Sequence, residues 1–265
     1  MRLATILIVT GAALAADPKA SLTFRATFDG GPDAVVAKGD KRIWSAASYK
    51  EQASAQPGLS VPGVELDPKA GRKGGALRFK KKNTQALFYK AQGNVAFNPS
   101  GWTGTISFWL SLDPETDLEP GYCDPLQVTD KAFNDSAIWV DFTKDDKPRH
   151  FRLGVFGELT KWNPQNIAAD KNPDFAKRLV VVTKTPFAKG KWTHVVITHE
   201  ALGSGKGTAN LYLDGKLQGS SAIGESFAWD MAKGAIRLGV SYVGLFDDIS
   251  IYDRALTAKE VASLK

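Results

Sequence analysis

The sequence predicts an all-β protein, a two-sheet antiparallel sandwich with a short C-terminal helix, and three observations carry that expectation. Nearly every ordered segment is four to eight residues long, and its apolar residues alternate with a period of two, as a strand with one buried face requires. The segments are separated by turns rich in Gly, Pro, Asn and Asp, the spacing of sandwiches and barrels. With 14 Phe and 7 Trp among 265 residues, there is ample aromatic area for a large core.

The chain opens with Arg2 and an apolar run from Leu3 to Leu14, followed by Ala15, Ala16 and Asp17. This is the pattern of a secretory signal peptide, residues 1–16, cut after Ala15 or Ala16. The run falls short of the roughly 20 apolar residues that span a bilayer, and no later stretch approaches that length. We therefore expect export to periplasm, cell surface or medium, with no transmembrane anchor. Residues 17–265 show neither linker nor repeat and read as one domain.

Strands are expected in order at 22–28, 74–79, 86–89, 105–112, 137–142, 151–156, 179–183, 192–199, 209–213 and 236–240. In the last strand Ile249 and Ile251 alternate with Asp248, Ser250 and Tyr252. Thr257 then precedes Glu260 by three residues, a capping-box spacing that starts a helix over 258–264. Two turns of helix do not stand alone, so Leu256, Val261 and Leu264 should hold it to a sheet. Three connections are long, 113–136, 144–150 and 158–178, and the expectation places them at one rim, walling a groove.

Alternation sorts side chains by face. Ile106, Phe108, Leu110, Leu112, Ile138, Val140, Phe142, Leu153, Val155, Val195, Ile197, Leu211 and Leu213 point inward. Trp109, Trp139, Phe156 and Tyr212 then lie outside, with Asp141, Arg152, His194 and Asn210, on what is expected to be the outer face of one sheet. Rings set among hydrogen-bonding groups suit a polysaccharide, whose pyranose faces pack on the rings while its hydroxyls meet the polar neighbours. Long loops folded over the same sheet would instead turn these side chains into a second core.

Cys123 is the only cysteine, so no intrachain disulfide can form, and it reads as a small hydrophobe in a loop. A formal charge of +6 favours anionic partners such as acidic polysaccharide. The charges are scattered, however, and only Lys80-Lys81-Lys82 forms a tight run. Neither a basic face with interleaved aromatics nor a reading helix appears, so nucleic acid is not expected.

Phe28-Asp29, Gly74-Gly-Ala-Leu-Arg-Phe79, Thr105-Ile-Ser-Phe-Trp109, Lys191-Trp-Thr-His-Val195, Leu211-Tyr-Leu-Asp-Gly215 and Phe246-Asp-Asp-Ile-Ser-Ile-Tyr-Asp-Arg-Ala-Leu256 span almost the whole mature chain. In these pieces the chain resembles the concanavalin-A-like lectin/glucanase superfamily, specifically the laminin-G-like jelly-roll domains of secreted bacterial proteins. The resemblance implies a jelly roll and one structural calcium ion, Ca2+, held by Asp29, the Gly74 carbonyl and Asp248. The glucanases of this fold share a Glu-x-Asp-x-Glu strand, which is missing here: Glu65-Leu-Asp67 runs into Pro68, which a central strand does not accept. The Gln-x-His and Tyr-x-Lys strands of its alginate lyases are also missing. The expectation is thus an exported, monomeric, non-catalytic module that binds a polysaccharide or other glycan or recognises a surface. A glycan-active enzyme using Asp141, Arg152 and His194 is the alternative from another class, and a protein-adhesion or structural domain is a third.

Overall fold

A computed structural model describes residues 17–264; the expected signal peptide lies outside the described residues. The strands are, in order, β1 Leu22–Ala26, β2 Val36–Ala37, β3 Ile43–Ala46, β4 Gln56–Pro57, β5 Val64–Asp67, β6 Ala76–Phe79, β7 Ala86–Lys90 and β8 Trp102–Ser111. They continue as β9 Cys123–Thr129, β10 Ala137–Phe142, β11 Phe151–Phe156, β12 Leu179–Val182, β13 Thr193–Leu202, β14 Gly207–Leu213, β15 Lys216–Ile223, β16 Ala235–Val240 and β17 Gly244–Tyr252. Three short α-helices among the described residues are α1 Leu159–Trp162, α2 Pro173–Lys177 and α3 Ala258–Ser263.

These strands form the expected antiparallel sandwich. One sheet of nine strands runs β15-β14-β13-β8-β17-β1-β2, with β6 and β5 added beside β17. The other, of eight strands, runs β12-β11-β10-β9-β16-β7-β3-β4. The alternating residues Ile106, Phe108, Leu110, Val195 and Ile197 from one sheet meet Ile138, Val140, Phe142, Leu153 and Val155 from the other in one buried core. First and last strands are neighbours, Phe24 lying opposite Ile251 and Ala26 opposite Ile249.

The C-terminal helix forms as its cap dictates. Thr257 Oγ1 accepts from the Glu260 N–H, and Glu260 Oε2 accepts from the Thr257 N–H at 2.8 Å. Arg254 donates to both Glu260 oxygens at 2.9 and 2.7 Å, and this bond holds the Glu260 carboxyl down at about 2. Leu256 and Val261 pack on Val196, Tyr212 and Tyr252, on the outer face of the nine-stranded sheet.

The connection expected at 113–136 instead contains β9, a central strand between β10 and β16. Pro125 sits inside it where the β10 register shifts between Val140 and Phe142, a bulge at which a missing N–H can be tolerated. Cys123 is therefore a fully buried strand residue, not a loop residue, and burial pushes its thiol up.

Candidate functional site

The eight outward residues do not share one face. Trp109, His194, Asn210 and Tyr212 lie on β8, β13 and β14 of the nine-stranded sheet, whereas Trp139, Asp141, Arg152 and Phe156 lie on β10 and β11 of the other. Alternation correctly turned each set away from the core. It could not tell which sheet a strand joins, so two opposite outer faces were merged into one.

On the nine-stranded sheet neither Trp109 nor Tyr212 is an open platform. The Trp109 indole stacks on His194 with centroids 4.4 Å apart, and Arg72 covers it from the β17 side, its guanidinium 3.9 Å from the ring. His194 Nε2 and Ser107 Oγ lie 2.8 Å apart. Tyr212 is buried beneath α3, and Asn210 donates to Thr198 Oγ1 at 3.1 Å.

On the eight-stranded sheet the long excursion between β11 and β12 folds back over the strands. Its Trp162 and Phe175 join Ala137, Trp139 and Phe156 in a second buried cluster, the outcome anticipated for loops that cover a sheet. Trp139 can lie flat because residue 154 opposite it is glycine: a Cβ there would meet the indole at 2.2 Å. The indole N–H donates to the Phe133 carbonyl at 2.6 Å, which fixes the ring.

Beside this cluster the excursion stops short and leaves a cleft of about 730 Å³. Its floor is a cross-strand row of polar groups. Arg152 donates to both Asp141 oxygens, at 2.8 and 2.5 Å, and Gln127 Nε2 donates to Asp124 Oδ2 at 2.5 Å. Burial pushes both the Asp124 and Asp141 carboxyls up. The Arg152 guanidinium opposes that rise, at Asp141 through its hydrogen bonds and charge and at Asp124 through its charge alone.

Two rings flank this floor, Tyr122 at 44% and Phe133 at 41% exposure. Arg152 lies 5.0 Å and Lys144 5.6 Å from the Tyr122 ring centre. Sequence reasoning missed both rings, together with Asp124, Gln127 and Gly154. Tyr122 and Phe133 sit in turns, where periodicity carries no signal. The one available hint was that two large aromatic residues occur in Gly- and Asp-rich segments.

The three positions implied for calcium fit in part. Asp29 Oδ1 accepts the Gly75 N–H at 3.1 Å, and a Cβ on Gly74, at φ +147°, would come within 2.3 Å of that oxygen. Only glycine lets the chain pass so near the carboxylate. Asp248, however, turns to Arg25 at 3.1 Å and Arg72 at 4.0 Å, so its charge is already matched. Its neighbour Asp247 is the buried carboxylate; burial first, then Asp248 and Asp29, push it up to about 7. No group of three or more His, Cys, Asp or Glu placed to hold a metal occurs among the described residues, so backbone carbonyls would have to complete any shell.

A family model described as Laminin_G_3, concanavalin A-like lectin/glucanases superfamily, matches residues 89–262. No curated protein matches the chain in sequence. Among solved structures, the chain is similar to Domain 4 of AbnA, a GH43 extracellular arabinanase from Geobacillus stearothermophilus, in complex with arabinotriose. The identity is 15% and the TM-score 0.55, over 92% of this chain and 98% of that one. The binding domain of Botulinum Neurotoxin DC in complex with SialylT is similar at 11% identity and a TM-score of 0.60, over 94% of this chain and 52% of that one. A Trypanosoma rangeli sialidase is similar at 15% identity and a TM-score of 0.52, over 92% of this chain and 32% of that one. At such identities the likeness is one of fold.

Proposed function

Because the chain belongs to the concanavalin A-like lectin/glucanases superfamily, we propose that it is a non-catalytic carbohydrate-binding module whose ligand lies in the cleft of the eight-stranded sheet. The observation that carries this reading is the pair of exposed rings, Tyr122 and Phe133, beside a floor of hydrogen-bonding groups. Sugar rings pack on the aromatic faces while hydroxyls meet Asp124, Gln127 and Lys144, and a cleft of this size falls in the range of small-ligand sites. Neighbours of the same fold that bind sugars, such as the arabinotriose-bound domain, support the reading. Hydrolysis by a pair of carboxyl groups is not favoured at this floor, because Arg152 occupies both oxygens of Asp141 and leaves Asp124 without a free carboxylate partner there. Export through residues 1–16 belongs to the same proposal.

Affinity electrophoresis of the mature protein against neutral and anionic polysaccharides tests it. Retardation by one glycan without its degradation is expected. Tyr122→Ala should weaken that retardation roughly tenfold, since aromatic contacts contribute about 0.5–1.5 kcal/mol beyond the area they bury, and should leave the melting temperature unchanged. Retardation unaffected by Tyr122→Ala moves the ligand elsewhere, and degradation makes the protein an enzyme.

We also propose a structural calcium ion held by Asp29, Asp247 and the Gly74 carbonyl, with Asp247 in the place the resemblance gave to Asp248. Oxygen donors from separate segments suit Ca²⁺, and a cation would offset the mutual repulsion of these carboxylates. Calcium should raise the melting temperature of the wild type and of Asp248→Asn but not of Asp247→Asn. An Asp247→Asn protein that responds like the wild type rejects this ligand set.

A further inference from the structure

The outer face of the nine-stranded sheet holds a second concavity, about 300 Å³, on the opposite side of the sandwich from the cleft. We propose that it is a distinct binding site for an oxyanion, a carboxylate or sulfate carried on a sugar-sized ligand, received by Arg72 and Arg25.

The Arg72 side chain lines the concavity. Its guanidinium is positioned by stacking on Trp109, and Trp109 is in turn backed by His194, so the cation is fixed without spending its hydrogen bonds. Its buried Nε finds no acceptor among the described residues. The nearest carboxylate oxygen, Asp248 Oδ2, stands 4.0 Å from Nη2, beyond hydrogen-bond reach. The other Asp248 oxygen already accepts from Arg25 at 3.1 Å. Asp247 accepts from the backbone N–H groups of Arg72, at 2.8 Å, and Asp248, at 2.7 Å, and not from the Arg72 side chain.

Two guanidinium groups therefore share one carboxylate, and the better held of them keeps its donor fork unused. A guanidinium fork matches carboxylate and sulfate oxygens in a bidentate fashion, and a stacked, preordered one loses little entropy on binding. A ligand anion here would supply the second negative charge and accept from the terminal nitrogens of the Arg72 guanidinium. Around the guanidinium pair the concavity is lined by Ser107, Ser250 and Tyr252, whose hydroxyls suit the remaining groups of a sugar, and by Lys19 and Asp17, whose opposite charges offset one another. Its volume sits at the lower end of the range for small-ligand sites, enough for a single ring. The site is independent of the glycan cleft, with which it shares no residue.

Calorimetric titration of the mature protein carrying Tyr122→Ala, which weakens the separate glycan cleft, with glucuronate, glucose 6-sulfate, inorganic sulfate and glucose provides the test. Glucuronate or glucose 6-sulfate should bind and glucose should not, with affinity falling as salt screens the charges. Which of the two binds tells carboxylate from sulfate ester. Arg72→Gln should weaken binding at least about tenfold, as the loss of hydrogen bonds to a charged group does. Arg25→Gln, on a side chain 45% exposed, should weaken it without disturbing the fold. It decides the matter if Arg72→Gln lowers the melting temperature. No binding of either charged sugar, binding of glucose as tight as of glucuronate, or an affinity unchanged by both arginine substitutions overturns the site. Inorganic sulfate binding as tightly as the sugar acids overturns the sugar-sized part of it.

Discussion

Trp139→Ala is expected to destabilise the fold by about 3–5 kcal/mol, the range for removing a large buried aromatic. The indole is 2% exposed, lies against Phe156 and Phe175 with interplanar angles of 10° and 19°, and anchors the Phe133 carbonyl. Its loss would empty the centre of the second cluster and free the excursion that walls the cleft. Set against the roughly 5–15 kcal/mol that holds a typical domain together, much of the margin would go. Gly154→Ala should act in the same direction, because the new methyl lands where the indole ring lies. Urea unfolding of both variants beside Tyr122→Ala provides the check. A Trp139→Ala protein with an unchanged midpoint and weakened glycan binding would return this tryptophan to the role of an open platform.

The sandwich was legible because its strands keep one face buried. Ile249 and Ile251, or Val195 and Ile197, sit in the core as alternation requires. β15, the edge strand Lys216–Ile223, was missed because most of it is exposed and its sequence alternates in nothing. β9 was missed because Pro125 reads as a breaker, while the bulge that accommodates it depends on β10. The candidate site was less legible for a related reason. Period two gives a side chain's direction relative to its own strand but not which sheet holds the strand, nor what later segments place above it. Phe175 and Trp162 come from the 158–178 connection, and only their packing on Phe156 separates a second core from an open platform. The exposed rings of the cleft occupy irregular turns, so position in the fold, not sequence pattern, singles them out.

The second large effect concerns charge under the cleft. Arg152→Met keeps much of the aliphatic bulk but removes the cation that Asp141 is bound to, with the pair's side chains only 13% and 5% exposed. Breaking a buried pair from one side costs about 3–5 kcal/mol, chiefly because a charge is left without a partner, and here Asp124 adds a second buried carboxyl. The loss must therefore depend on pH. Burial raises both carboxyls in the folded protein above the ordinary value of 3.8, and without Arg152 nothing opposes that rise at Asp141. Across the window between 3.8 and the raised folded values, the folded variant binds more protons than the unfolded chain, so its stability falls as pH increases. At pH 4, near the low end of that window, the acids are neutral in the folded variant and only part-ionised in the unfolded chain, so the variant should lie nearest the wild type; at pH 8 the deficit should be largest. Adding Asp141→Asn to Arg152→Met removes the stranded charge and should recover most of the deficit at pH 8, a coupling that a double-mutant cycle reads directly. Urea midpoints of the four proteins at both pH values are the measurement. A deficit that is equal at pH 4 and pH 8 would mean that Arg152 acts through its packing alone, and that the floor of the cleft holds no proton worth recognising.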